Sequence, residues 1–427
     1  MENNLELIKI LYKELNGKKI IKKVANNSNH FYDEPKLNYY SVMLNNSSNP
    51  FFPKSEYKLN AYKIGANGLS YASKETALLK CLSEAAERFN QCCYSYKSIT
   101  YTTYNELKKK RINALNPQIY INTDKIKETK FGWIKGHDLF DNKQVLLPAQ
   151  LLYLNFPKDN EVSLTSSIST GAAGGFDSTR VILNGIYEVI ERDAFMTVYL
   201  NKIRVPKIKI SSIKDSAIKS LGDYYKRYRL KPLIFNITNN LQVPVFLTVL
   251  LDETGNLPQL SLGMKASLDT KTAILGAMEE AFMNRYFAKL QLFDKKKNVK
   301  IRKHVPTIAE RALLWMTPQM EDKLDFLTKS EKSKIYKTLP PIDNPVKELE
   351  TVKKILKKNN LDAYYSDITL DNFTDIDYKV FKIIIPRLQP LYLNEKEKEL
   401  KTGRIKEVAD FFNVETGNFN QVPHPFI

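Results

Sequence analysis

Apolar residues recur with helical spacing in five stretches: MENNLELIKILYKEL, LLKCLSEAAERF, RVILNGIYEVIERDAF, TKTAILGAMEEAFMNRYFAKL and NPVKELETVKKILKKNN. The first and last are amphipathic, and the middle three are largely apolar. Runs of branched and aromatic residues, VLLPAQLLYLNFP, LKPLIFNIT, PVFLTVLLD, LDAYYSDI and YKVFKIIIP, read as strands. LKPLIFNIT and PVFLTVLLD, with Asn239 and Asn240 between them, read as a pair. Pro148 places its run at a sheet edge or a strand start.

Helices and strands alternate, so the pattern predicts an α+β protein built on a repeated helix-on-sheet unit. Residues 1–60, a short helix and then an Asn/Ser/Pro-rich stretch, read as an N-terminal extension, and residues 61–427 as the catalytic domain. The charged stretch from Asp294 to about Lys332 reads as a helical insertion.

The three apolar helices carry an unexpected set of acids. Glu84-x-x-Glu87-Arg88 and Glu188-x-x-Glu191-Arg192 repeat one motif, and Glu279-Glu280 with Asn284-Arg285 is a variant of it. Carboxylates three apart on a helix share a face, so two such helices face to face offer four carboxylates. Oxygen ligands of that kind suit magnesium, which binds through carboxylates plus substrate phosphates, and the neighbouring arginines suit the phosphates. A single copy would read as a solvated helix face. The repetition in apolar helices argues otherwise, because unpaired charge is out of place there. Gly68, Gly171 and Gly263 precede Glu84, Glu188 and Glu280 by 16, 17 and 17 residues. They read as turns leading into helix starts whose free N–H groups could cradle phosphate, or as ordinary turn punctuation.

Composition narrows the alternatives. With 43% hydrophobic and 11% aromatic residues in 427, the chain can bury a large core. No apolar run approaches a membrane span, and the N-terminus lacks the plan of a signal peptide, so the expectation is a cytoplasmic protein. Cys81 reads as core; Cys92 and Cys93 are adjacent, and the four histidines are scattered, so zinc is not expected. The net charge of +18 is spread over many lysine runs without a nucleic-acid motif, and no nucleic-acid partner is expected. A P-loop is also missing from the sequence.

Taken in order, the blocks GANG with KCLSEAAER, Ser169-Thr170-Gly171 with NGIYEVIERDA, AMEEAFMNR, and IIIPRLQPL resemble the YcaO family of ATP-dependent enzymes that modify peptide backbones. The resemblance implies a YcaO-like fold around an ATP and Mg2+ site. It implies magnesium on Glu84, Glu87, Glu188 and Glu191, and phosphate contacts from Arg88, Arg192 and Arg285. Ser169, Gly171, Asn184 and Glu280 would shape the nucleotide site. The chain departs from the family pattern at Asn67, Lys80, Met283 and Arg387; Lys80 could reach phosphate or simply be solvated. The ending Val422-Pro423-His424-Pro425-Phe426-Ile427 resembles the proline-rich tail of the azoline-forming members, although Ile427 replaces a third proline. Proline stiffens such a tail, and the Ile427 carboxylate is the candidate catalytic base. A frayed terminus is the plain alternative.

The reaction implied is ATP-dependent cyclodehydration of Cys, Ser or Thr in a ribosomally made precursor peptide to thiazoline or oxazoline, as in bacteriocin and antibiotic biosynthesis. Thioamide formation is the close alternative, and a non-catalytic scaffold or binding protein the distant one. The implied partners are the precursor peptide and a separate leader-binding protein resembling ubiquitin-activating enzymes. A flavin dehydrogenase is a further candidate. A homodimer or a place in a larger complex is expected.

Overall fold

The computed structural model describes residues 2–45, 65–157, 161–293, 305, 307–330, 333–334 and 341–426. The chain forms two compact units, each drawn from separated stretches. One comprises Met1–His30, Lys36–Val189 and Leu349–Arg387; the other comprises Phe31–Pro35, Ile190–Glu348 and Leu388–Ile427. The fold is α+β.

The first unit holds two sheets. Ala25–Asn26, Asn38–Met43 and β1 (Gly65–Ser70) form an antiparallel three-stranded sheet. The second runs Thr100–Thr103, Lys130–Asp138, Tyr364–Asp367, Lys379–Ile384 and Ala172–Gly175, with Gln144–Pro148 paired to Lys130–Asp138. Pro148 is the last residue of its strand, where the missing N–H costs no ladder bond. The amphipathic helix Glu2–Gly17 contributes Leu11 and Leu15 to the core that also holds Phe89, Trp133 and Tyr378. Each such side chain contributes roughly 1.5–3 kcal/mol by leaving water. The N-terminal residues are built into this unit: Asn38–Met43 is the neighbour of β1, and the first helix lies in the same core.

The second unit is built on a five-stranded sheet of order β3 (Leu260–Ala266), Val245–Asp252, Leu230–Asn236, Lys207–Ile208 and Ser333–Lys334, antiparallel except at the last pair. The expected pairing of the LKPLIFNIT and PVFLTVLLD runs is observed. Val245 to Leu250 are all buried, which is why that run is apolar apart from Thr248 and not alternating. Within the charged stretch, the described residues include the helices Ile308–Trp315 and Asp325–Thr328 around a 3-10 turn, Pro318–Leu324.

Each motif helix follows directly on a strand: α1 (Lys74–Cys92) on β1, α2 (Ser178–Leu200) on β2 (Ala172–Gly175), and α3 (Thr270–Phe293) on β3. The glycines expected in turns have another use. Gly68 and Gly263 lie inside strands, and a Cβ there would sit 2.0 Å from the Ala77 carbonyl oxygen and 2.1 Å from the Ala281 amide nitrogen. They let a strand press against the backbone of its own helix. Gly171 alone of the three has a positive φ, 84°, and its Cβ would meet the Ile383 carbonyl oxygen at 2.3 Å. The helix starts are closed as well. Ser73 accepts from the Thr76 amide, Asp177 from the amides of Thr179 and Arg180, and Asp269 from those of Lys271 and Thr272. The expected phosphate cradle at these starts is thus occupied by the protein's own caps.

Candidate functional site

A glutamate at each strand-helix corner accepts a backbone hydrogen bond, from the strand at the first and third corners and from the turn just before it at the second. The Asn67 amide donates to Glu84 Oε2 at 2.6 Å, the Gly171 amide to Glu188 Oε2 at 2.8 Å, and the Met264 amide to Glu280 Oε2 at 2.6 Å. The close approach allowed by the glycines brings these amides within reach. One oxygen of each carboxylate is thereby fixed, which orients the group.

In the first unit, Glu84, Glu87 and Glu188 interact with one another. Burial pushes the Glu87 carboxyl up to about 8; Glu188 and Glu84 push the same way, against Arg88 and Lys382. Burial works against the Arg88 cation, but Glu84, Glu87 and Glu188 outweigh it and hold that guanidinium above its usual range. Arg88 Nη2 reaches Glu84 Oε1 at 3.2 Å, and Lys382 Nζ donates to the Ile168 carbonyl at 2.9 Å.

The second unit repeats the theme. Glu191 is buried and accepts from the Ala266 amide at 2.9 Å, with Lys265 Nζ 3.9 Å away. Burial pushes the Glu280 carboxyl up to about 8, and Glu191 adds to it; the Met264 amide, Lys265 and Arg192 pull it back. The Arg192 guanidinium lies 5.5 Å from the centre of the Phe426 ring. Helix α2 carries both Glu188 and Glu191, one turn apart.

The other expected residues fall unevenly. Asn184 is exposed on α2, one turn before Glu188, and the Ser169 carbonyl accepts from the Ala172 amide in the turn that contains Gly171. Lys80 donates to the Leu69 carbonyl at 3.1 Å. Arg285 has different partners from those expected. It is 2% exposed, donates to both oxygens of Glu34 at 2.8 and 2.9 Å, to the Pro258 carbonyl at 2.6 Å, and to Asp252 at 2.5 Å. A guanidinium so enclosed by carboxylates is a structural ion pair and not a phosphate contact. Ile427 lies outside the described residues.

Asp193, directly after Arg192, is not marked by the spacing of the acidic motif. It is fully buried and accepts from Asn239 Nδ2 at 2.9 Å, the Gln389 amide at 2.9 Å and Arg404 Nη2 at 2.7 Å. Lys265 and Lys382 also went unrecognised, since only the fold brings them to glutamates.

Among the described residues, no three His, Cys, Asp or Glu side chains gather closely enough to hold a metal ion alone. The residues present still fit magnesium, which usually takes one or two carboxylates, completes its shell with water and phosphate, and favours oxygen donors. Burial, more than the neighbouring glutamates, favours the protonated forms of Glu87 and Glu280, and a bound cation would favour their charged forms.

The model of the family described as YcaO cyclodehydratase, ATP- and Mg2+-binding, matches residues 70–389. The chain belongs to the YcaO family. ATP and Mg2+ are the cofactors of that family. Among solved structures, a heterocyclase in complex with substrate and cofactor is similar at a TM-score of 0.77 and 19% identity, over 97% of this chain and 57% of that one. The YcaO protein of Methanopyrus kandleri bound with AMPPCP and Mg2+ is similar at 0.68 and 16% identity, over 93% of each chain. These likenesses show the YcaO fold. An uncharacterized protein from the tfuA 3′ region of Rhizobium leguminosarum bv. trifolii is 28% identical over 137 residues, 31% of this chain and 32% of that protein. The match to that curated relative thus spans about a third of its length.

Proposed function

We propose that the protein is an ATP-dependent peptide cyclodehydratase. Glu84, Glu87 and Glu188 in one unit, and Glu191 and Glu280 in the other, are the carboxylates that take magnesium. Arg88 and Arg192 take phosphate oxygens. Ser169, Gly171 and Asn184 border the nucleotide, and Lys80, held by the Leu69 carbonyl, is not needed for it. Magnesium supplies charge neutralisation of the phosphates when bound. A Cys, Ser or Thr side chain of the peptide gives its proton to a base and attacks the preceding carbonyl carbon, closing the ring, and the oxyanion takes the γ-phosphoryl group with release of ADP. Loss of phosphate and of the amide proton then forms the C=N bond of the azoline. The arginines hold charge on the transferring group without relocation, which is where preorganised donors act most strongly.

The observation that carries this reading is the recurrence, in a YcaO chain, of a half-buried glutamate whose carboxyl is pushed up to about 8 beside a second glutamate and an arginine, once in each unit. Cyclodehydration is favoured over thioamidation by the tail. Residues 422–426 are packed into the second unit with Phe426 on Arg192, whereas a frayed end would leave them exposed. The substrate is a precursor peptide presented by a separate ubiquitin-activating-enzyme-like protein.

The test is mass spectrometry of a Cys/Ser/Thr peptide incubated with the protein, its partner, ATP and Mg2+. Loss of one water per ring, dependent on ATP, supports the proposal. Replacement of oxygen by sulfur in the presence of sulfide moves the assignment to thioamidation. ATP turnover in neither setting would leave the scaffold reading.

A further inference from the structure

Three successive backbone carbonyls of the tail each meet a buried side-chain donor. The Tyr199 hydroxyl lies 3.1 Å from the Val422 oxygen and 3.2 Å from that of Pro423. Trp315 Nε1 donates to the Pro423 oxygen at 2.9 Å, and Arg311 Nη1 to the His424 oxygen at 2.7 Å. Pro423 and Pro425 have no N–H, so carbonyls are the chief polar groups this segment offers. The His424 ring is fully buried, with Nε2 2.6 Å from the Tyr392 carbonyl, which makes that nitrogen the donor. Arg311 is itself fixed: its Nη2 donates to the Leu393 carbonyl at 2.7 Å and pairs with Glu395 at 2.9 Å.

Two of these donors, Arg311 and Trp315, come from Ile308–Trp315, in the stretch whose sequence suggested a charged insertion. An insertion that added only surface would not bury an arginine at 0% and a tryptophan at 3% around a proline segment. Past the clamped carbonyls, the Phe426 ring packs 5.8 Å from that of Phe195 and lies under the Arg192 guanidinium. We propose that Trp315, Arg311 and Tyr199 form a backbone-reading clamp whose task is to place Phe426 as the brace of Arg192. They are positioning residues. The clamp reads carbonyls and not side chains, so it fixes how far along the chain Phe426 falls.

This inference rests on Arg192 being a phosphate contact, and the experiment keeps the two apart. Tyr199→Phe combined with Trp315→Phe removes two donors while keeping an aromatic ring at each position, in the full chain. Hydrogen exchange of the peptide spanning His424 and Phe426 should speed by about tenfold or more, the scale of losing one to two hydrogen bonds. The Michaelis constant for ATP should rise several-fold, with a smaller change in kcat. Phe426→Leu should reproduce the rise without altering exchange near Trp315, and Phe426→Trp should restore it. Exchange that stays at the wild-type rate overturns the clamp. Faster exchange with an unchanged ATP constant overturns the bracing of Arg192. If the wild type turns over no ATP, the function proposal fails, while exchange still decides the clamp.

Discussion

The second and third corners share a backbone plan and differ in the fate of one arginine. At both, a backbone amide in or just before the strand donates to a glutamate of the following helix, and at both an arginine follows, four residues after Glu188 and five after Glu280. Arg192 stays half-buried beside Phe426, next to glutamates; Arg285 is enclosed by Glu34 and Asp252 with Lys289 alongside. The segment Phe31–Pro35 makes the difference, because it brings Glu34 into the second unit. A helix position sets where a side chain starts. The acids supplied from elsewhere decide whether it is open to a ligand.

Removing a carboxylate should have the largest effect. Glu188→Gln and Glu191→Gln keep size and remove charge, and each should lower ATP turnover by on the order of 100-fold or more, the scale seen for loss of one preorganised charge-stabilising group. Steady-state ATPase with peptide and partner, checked against unchanged circular dichroism, measures it. Wild-type turnover in both variants would remove the magnesium assignment from α2.

The two arginines should then separate by what they damage. Arg285→Ala leaves Glu34 and Asp252 buried and short of a cation, and should cost about 3–5 kcal/mol of stability, the usual cost of breaking a buried pair. Arg192→Ala should leave the denaturation midpoint nearly unchanged while raising the ATP Michaelis constant about tenfold, equivalent to 1.4 kcal/mol of binding. Urea unfolding and ATP titration of both variants decide the matter. If Arg285→Ala stays as stable as the wild type, the contrast between the corners collapses.

Much of this was legible in the chain. The five helical stretches and the paired strands were readable because their apolar spacing is set by the cores they line, and the motif blocks pointed to the family. Three features were hidden for identifiable reasons. GANG and LSLGMKAS look like turns because glycine is a turn residue. Gly68 and Gly263 are instead mid-strand, for want of room beside a helix. The enclosure of Arg285 depends on Glu34, which lies 251 residues away. The tail clamp joins Arg311 to His424 across 113 residues, and no local pattern encodes such a contact.

The glycines give a third, smaller contrast. Gly68→Ala and Gly263→Ala must each move helix backbone, so each should cost about 1–3 kcal/mol, as overpacking does. Gly403, in the helix Thr402–Phe411, has nothing within 4 Å of an added Cβ, and Gly403→Ala should be neutral or stabilising by up to about 1 kcal/mol. Thermal melts of the three variants test it. Equal effects would mean that the close strand-helix approach carries no energetic weight.

The smallest effect concerns the helix starts, and its sign is informative. If the N-terminus of α2 were a phosphate cradle, the carboxylate of Asp177 would repel the ligand while occupying the same amides. Asp177→Ser keeps a capping oxygen and removes the charge, so a cradle predicts tighter ATP binding. A cap predicts unchanged binding, because the amides of Thr179 and Arg180 remain taken by the side chain. Asp177→Ala removes the cap altogether and should cost about 0.5–2 kcal/mol of stability, again without a change in ATP affinity. Calorimetric titration with a non-hydrolysable ATP analogue and Mg2+, beside a thermal melt, reads both quantities. Tighter binding by Asp177→Ser would return the phosphates to the helix start and weaken the claim that Arg192, about four turns further along, is where they are held.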